Sequence, residues 1–168
     1  VIVDAPVIQS DAELLRSLFD QNCAALCYLG LEPGVTTVLD LQARLEQDDI
    51  AYRFEYDQME WRAPLQQAVT DGSGFPFVSA TFTDGILTHF AAPINVSVQA
   101  VIELFGIPSE MTEDRGRYYL IYPAYGLAFA LDALLSGCSR TDEIYGALPN
   151  AEYGIVGQPP GEPALYVC

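Results

Sequence analysis

Basic residues are scarce in this chain. Seven Lys and Arg stand against 23 Asp and Glu over 168 residues, giving a formal net charge of −16. Phosphate contacts need clustered Lys and Arg, so nucleic-acid binding is excluded. Docking on anionic lipid is disfavoured for the same reason. Long apolar runs are also missing. The longest, LIYPAYGLAFALDALL (120–135), is interrupted by Pro123, Gly126 and Asp132, so no transmembrane segment is expected. Histidine occurs once, at His89, so any triad using histidine must pass through it. There is no Walker loop, Gly-x-Ser-x-Gly elbow or Gly-x-Gly-x-x-Gly motif. Val1 begins a β-rich stretch with no basic n-region, so no signal peptide is read there. That start fits a cytosolic protein and a processed one equally.

About half of the residues are apolar, enough for a real core. The acids are dispersed and read as a solvated acidic surface. Four cysteines are present, at 23, 27, 138 and 168. An even count allows three pairings. Cys23–Cys27 with Cys138–Cys168 is the most economical, each pair being near in sequence. Loop-closure entropy assigns the 138–168 loop about 3–4 kcal/mol and the small 23–27 loop about 2. Such bridges imply an oxidising, extracytoplasmic location.

Ser10 opens a helix with a capping box closed by Glu13. Its stripe is Leu14, Leu15, Leu18 and Phe19, and it is expected to run to about Asn22. Pro33-Gly34 marks a turn. Thr36 or Thr37 caps a second helix with the stripe Val38, Leu41 and Leu45, with Asp40 in its first turn. AYRFEYDQMEW (51–61) alternates and reads as one strand, with Tyr52, Phe54 and Tyr56 on one face. FVSATFTDGILTHF (77–90) reads as a hairpin about Asp84-Gly85. Its register sets Phe82 beside Leu87 and Ala80 beside His89. Ser97 caps a third helix lined by Val98, Val101, Ile102 and Phe105 and ended by Gly106 and Pro108. RYYLIYPAYGLAFAL (117–131) is a second hairpin, with Pro123 and Gly126 in its turn. Residues 132–168 are Gly- and Pro-rich, with strand-like runs at 152–156 and 164–168.

VTTVLDLQARL (35–45) aligns with NVSVQAVIELF (95–105), and each is followed by strands ending in a Gly-led apolar run, GILTHF and GLAFAL. We therefore read helix-then-antiparallel-strands twice. The expected fold is α+β: two tandem helix-plus-antiparallel-meander units with disulfide staples. The divisions are 1–33 (arm, capped helix and cysteine corner), 34–92 (first unit) and 93–168 (second unit with its extension), sharing one core.

These features carry resemblances. The stretch 97–131, with Phe105-Gly106-Ile107-Pro108 and Gly126, resembles the small envelope-lipoprotein modules of the outer-membrane-assembly (SmpA/OmlA) type. It also resembles the tandem architecture of the β-lactamase inhibitor protein. Cys23, Cys27, Tyr28, Gly30, Pro33, Gly34, Thr36 and Thr37 resemble a Cys-x-x-x-Cys…Pro-Gly-x-Thr-Thr signature of secreted or lipid-anchored bacterial proteins, although Ala25-Leu26 replaces the polar or proline residues expected between the cysteines. The resemblance implies an extracytoplasmic fold used for protein contacts, without catalysis.

The tests for chemistry point the same way. Cys23 and Cys27 are separated by three residues at a helix C-terminus, unlike a redox Cys-x-x-Cys at a helix N-terminus. Zinc would need further ligands, so neither metal nor cofactor is expected. His89 reads as a half-buried strand residue. Glu55, Asp57 and Glu60 would lie on one wet strand, and Glu110, Glu113 and Asp114 in a loop, as solvated acids. Tyrosine is in surplus: Tyr118, Tyr119, Tyr122 and Tyr125 fall within eight residues. Tyrosine suits binding faces. These four, with Val1, Ile2 and Val3 of the N-terminal arm, are the candidate protein-contact residues; the arm could add a strand to a neighbour's sheet edge. Asn95-Val96-Ser97 is a glycosylation sequon, but Ser97 is expected to be engaged as a cap.

The expected role is a non-catalytic, extracytoplasmic protein-binding or structural component of a surface assembly. Its partner is a protein, a second copy included, and its narrowest form is a polymer subunit. One alternative is an inhibitor or scaffold binding a basic protein. The other is a hydrolase using acids 55, 57 and 60.

Overall fold

The computed structural model describes residues 10–20, 27–63, 77–131 and 140–149. The elements run α1 (Asp11–Leu18), β1 (Phe19–Asp20), β2 (Cys27–Tyr28), α2 (Val38–Gln47), β3 (Tyr52–Glu55), β4 (Gln58–Arg62), β5 (Phe77–Thr83), β6 (Ile86–Pro93), α3 (Val98–Phe105), β7 (Glu110–Asp114), β8 (Arg117–Tyr122), a 3-10 turn (Pro123–Tyr125), β9 (Leu127–Leu131) and β10 (Thr141–Ala147). The chain is α+β. Strands β3 to β10 form one antiparallel sheet in the order β3-β4-β5-β6-β10-β9-β8-β7. Among the described residues, β3 and β7 are its edges.

Each helix starts where side chains supply the missing acceptors. Ser10 and Glu13 exchange both bonds of a capping box. Thr37 Oγ1 accepts from the Asp40 N–H, and Ser97 Oγ from the Ala100 N–H. A hydroxyl at this position satisfies a donor the helix cannot satisfy itself. The first helix stops at Leu18, short of the expected Asn22, because Phe19 turns extended and pairs with Tyr28.

Helices α2 and α3 stand in matching relations to the sheet. Each is followed by four strands, β3 to β6 and β7 to β10. The cap residue of each bridges the start of the fourth strand: Thr37 to Ile86, and Ser97 to Arg140. One residue on, the Leu87 N–H donates to Thr36 O, and the Thr141 N–H donates to Val96 O. The fourth strands, β6 and β10, pair with each other at the sheet centre. One continuous core lies between the helices and the inner face. It joins Leu15, Leu41, Leu45, Val98, Val101 and Phe105 to Met59, Trp61, Val78, Leu120, Phe129 and Ile144.

Several readings are corrected. Residues 51–61 are two strands, joined by a turn in which Tyr56 and Asp57 both have positive φ, 50° and 59°. Tyr-Asp lacks the Asn-Gly or Asp-Gly chemistry that announces such a turn, so the alternation looked unbroken. The Asp84-Gly85 turn forms as expected, with Phe82 opposite Leu87. An irregularity between Thr81 and Phe82 then shifts the ladder, so Ala80 faces Phe90 and Thr81 faces His89. An added residue reverses which side chains share a face. Glu110, Glu113 and Asp114 lie on strand β7, not in a loop. Strand β10 falls in the Gly- and Pro-rich stretch 132–168, outside the two runs read there as strand-like, and sits in the middle of the sheet. Its Gly146 leaves room for the Phe90 ring, since a Cβ there would lie 2.0 Å from a ring carbon. The runs 152–156 and 164–168 lie outside the described residues.

Candidate interaction surface

The acids, the histidine and the sequon were the residues with chemistry to offer. Arg53 and Glu60 are cross-strand partners, as are Glu55 and Gln58. Arg53 also forms an ion pair with Glu55. Asp57 is in the turn, where its carbonyl accepts from the Phe82 N–H at 2.8 Å. The three acids thus occupy two strands and a turn, not one wet strand. His89 is exposed on the outer face of β6, opposite Thr81 and Ala147, not half-buried beside Leu87. Asn95 Oδ1 accepts from Arg140 Nε, and Ser97 Oγ caps α3, so both polar groups of the sequon are engaged. Among the described residues no group of three or more His, Cys, Asp or Glu could hold a metal ion.

Cys27 is fully buried, and no free cysteine occurs among the described residues. Cys23, Cys138 and Cys168 lie outside them, so neither bridge is described. Val1, Ile2 and Val3 lie outside them as well.

The four tyrosines separate. Tyr118 is half-buried against the core. Tyr119 and Tyr122 are buried on opposite faces of β8. The Tyr122 hydroxyl donates to Gly106 O at 2.8 Å, and burial pushes its pKa up to about 12. Only Tyr125 is exposed, with its ring 5.4 Å from that of Phe105.

The topology collects a surface that the sequence did not announce. The turns 56–57 and 84–85 lie together, because Phe82 bonds to Asp57. Residues 34–38 join them: the Gly34 N–H donates to Leu87 O at 2.7 Å and the Val38 N–H to Gly85 O at 3.0 Å. Strand β10 ends at the same edge, where the Ala147 N–H donates to Gly126 O. Gly34 approaches Leu148 so closely that a Cβ would meet its side chain at 2.7 Å. The bond from Tyr122 to Gly106 brings the end of α3 alongside.

One end of the sheet therefore carries a rim of turns. Nine large apolar side chains are exposed among the described residues, and seven stand on this rim: Val35, Leu39, Tyr56, Ile86, Ile107, Tyr125 and Leu148. Tyr56 is 98% exposed, Ile107 86% and Leu39 76%. Single exposed apolar residues are ordinary; here seven of the nine share one end of the sheet.

The charge at this rim is negative. Glu32, Asp40, Asp57, Asp84 and Glu110 belong to it, whereas Arg62, Arg115, Arg117 and Arg140 lie at the opposite end of the strands. There Arg117 pairs with Asp142 and Glu143, and Arg140 with Asp11. Burial opposes the charge on Arg117, but the bond to Asp142 and the charges around it win and raise its pKa. Beside the rim, Glu32, Val35, Thr36, Asp40, Leu41 and Arg44 line a depression of about 260 Å³. Gly30 lines it as well, and Arg44 donates to its carbonyl at 3.3 Å.

No helix among the described residues is long and apolar enough to cross a membrane. Set against known proteins, the chain has no match: no family model, no curated protein and no solved structure corresponds to it.

Proposed function

We propose that this chain is a non-catalytic protein-binding component that acts outside the cytoplasm and contacts its partner through the rim of Val35, Leu39, Tyr56, Ile86, Ile107, Tyr125 and Leu148. The carrying observation is the gathering of seven exposed apolar side chains, set among acids, at one end of the sheet. Tyr56 adds support. It stands in the left-handed region at φ 50°, nearly fully exposed. An aromatic residue there costs conformational energy that packing does not return. Contact with a partner supplies a reason to hold it.

The net charge of −16 favours a cationic partner over a second copy, since like-charged surfaces repel. This reading favours the inhibitor or scaffold form over the polymer subunit, and gives acids 55, 57 and 60 no hydrolytic role.

The extracytoplasmic part rests on the cysteines, with Cys23 bonded to Cys27 and Cys138 to Cys168. This part rests on the even count and the spacing of the four cysteines alone. We also infer that 34–92 and 93–168 are tandem helix-plus-meander units. The matching bridges from Thr37 to Ile86 and from Ser97 to Arg140 support this.

Carboxyl-to-amine cross-linking with a carbodiimide tests the partner. The chain has no lysine, so a link from its acids to a side-chain amine identifies another protein. A partner bound by the wild type and lost from a folded Leu39→Asp/Ile107→Asp variant supports the reading. A partner held equally by both, or concentration-dependent self-association with no cross-linked protein, overturns it.

A further inference from the structure

Asp40 and Arg44 lie one turn apart on α2. Opposite charges four residues apart on a helix ordinarily pair. These two do not. Among the described residues the ion pairs join Arg53, Arg115, Arg117 and Arg140 to acids, and Arg44 to none. The half-buried Arg44 guanidinium turns instead to a neutral carbonyl, that of Gly30, at 3.3 Å. Glycine is needed to admit it: a Cβ on Gly30 would lie 2.3 Å from Arg44 Nη1, and the backbone there has φ 74°. The depression of about 260 Å³ is lined by both of the charges that the helix leaves apart, and by Glu32. Its loop is tied down. The Glu32 N–H donates to Thr36 Oγ1 and the Thr36 N–H to Glu32 O, both at 2.9 Å. Thr36 O accepts in turn from the Leu87 N–H of β6 at 2.8 Å. The hollow is thus formed before any ligand arrives, as small-molecule sites usually are.

We propose that this depression binds a small zwitterion of the α-amino-acid class. Its charges select the ligand. A simple anion would meet Arg44 but also the carboxylates of Glu32 and Asp40. A simple cation would be opposed by the guanidinium, and a metal ion finds no group of three ligating side chains among the described residues. A carboxylate and an ammonium on one carbon satisfy both signs. The carboxylate accepts from Arg44, whose planar fork suits it, and the ammonium donates to Asp40. Val35 lines the same hollow and offers apolar contact to a short aliphatic side chain. The volume falls below the ~300–1,000 Å³ of sites for drug-sized ligands, which limits the occupant to a small molecule. The site shares Val35 with the rim but does not depend on a protein partner there.

Titration calorimetry of the full chain tests this with L-valine and L-leucine. The two halves of leucine, 4-methylpentanoate and isoamylamine, are the comparison. One amino acid should bind per chain, and each half about tenfold more weakly or worse, since each leaves one charge unmatched. Arg44→Gln and Asp40→Asn should each weaken amino-acid binding by about tenfold or more. Asp40→Asn keeps the helix cap, because Thr37 Oγ1 accepts from the backbone N–H of residue 40 and not from its side chain. No saturable binding of either amino acid, a half bound as tightly as the whole, or equal binding by a folded Asp40→Asn chain overturns the proposal. Should Arg44→Gln fail to fold, Asp40→Asn and the two halves decide.

Discussion

Asp11 and Arg140, 129 residues apart in sequence, meet at 3.1 Å. Asp11 Oδ2 also accepts from the Ser97 N–H at 2.9 Å. Arg140 in turn donates to the side chain and, at 3.2 Å, to the carbonyl of Asn95. One carboxylate and one guanidinium thus join the start of α1, the cap of α3 and the start of β10.

Arg140→Ala should lower stability by about 1–2 kcal/mol, allowing for partial solvent exposure of the pair. Lysine should recover only part, because an ammonium cannot reproduce the guanidinium fork. Urea unfolding of the single and double variants with Asp11→Ala checks this. A coupling energy near zero would mean that the contact is ornamental.

Gly146→Ala should be among the most damaging small substitutions. Its Cβ would stand 2.0 Å from Phe90, whose ring stacks on Tyr28 with centroids 5.6 Å apart. Overpacking of this kind costs about 1–3 kcal/mol. Adding Phe90→Leu should return part of the loss, so that the double variant is more stable than the sum of the singles predicts. Thermal unfolding of all three chains reads it.

Thr37→Ala and Ser97→Ala should each cost about 1 kcal/mol, since each removes a side-chain acceptor from a helix start. Equal losses at both positions, measured by denaturant midpoints, would agree with the matching geometry of the two helices.

Stability should fall as pH rises above about 10. Burial raises the pKa values of Tyr28 and Tyr122, and burial with the bond to Glu143 raises that of Tyr145. In the unfolded chain these phenols ionise near the ordinary value of about 10. Above that pH the unfolded state binds fewer protons than the folded one, so unfolding becomes easier. The contribution is complete below pH ~10 and is lost as pH climbs through the folded values. Denaturant midpoints against pH, with Tyr122→Phe as control, test the direction: that variant should lose less at high pH.

Tyr56→Asn/Asp57→Gly should stabilise the β3–β4 turn by about 0.5–1 kcal/mol, because both positions have positive φ. The same change should weaken partner binding if the rim is the contact. A gain in stability with binding intact would remove Tyr56 from the surface.

The three helices were legible because their signals are local. Ser10, Thr37 and Ser97 precede apolar stripes of helical period, and a cap needs only residues three positions away. Asp84-Gly85 and Gly126 were legible for the same reason: their turn chemistry sits in two or four adjacent residues. The turn at Tyr56-Asp57 was not, since its conformation is held by a bond from Phe82, not by its own composition. Nor was β10, because Gly146 makes sense only beside Phe90.

What the amino-acid order determined alone was the acidic surface, the α+β class and the helix starts, all of which depend on composition or neighbouring residues. Which tyrosines are covered, which acids share a face, and where the exposed apolar residues assemble were decided by strand order. β6 and β10 meet at the sheet centre, and that pairing aligns turns from residues 34 to 148 along one edge. No local preference encodes that alignment, because it arises only when segments far apart in sequence bury a common core.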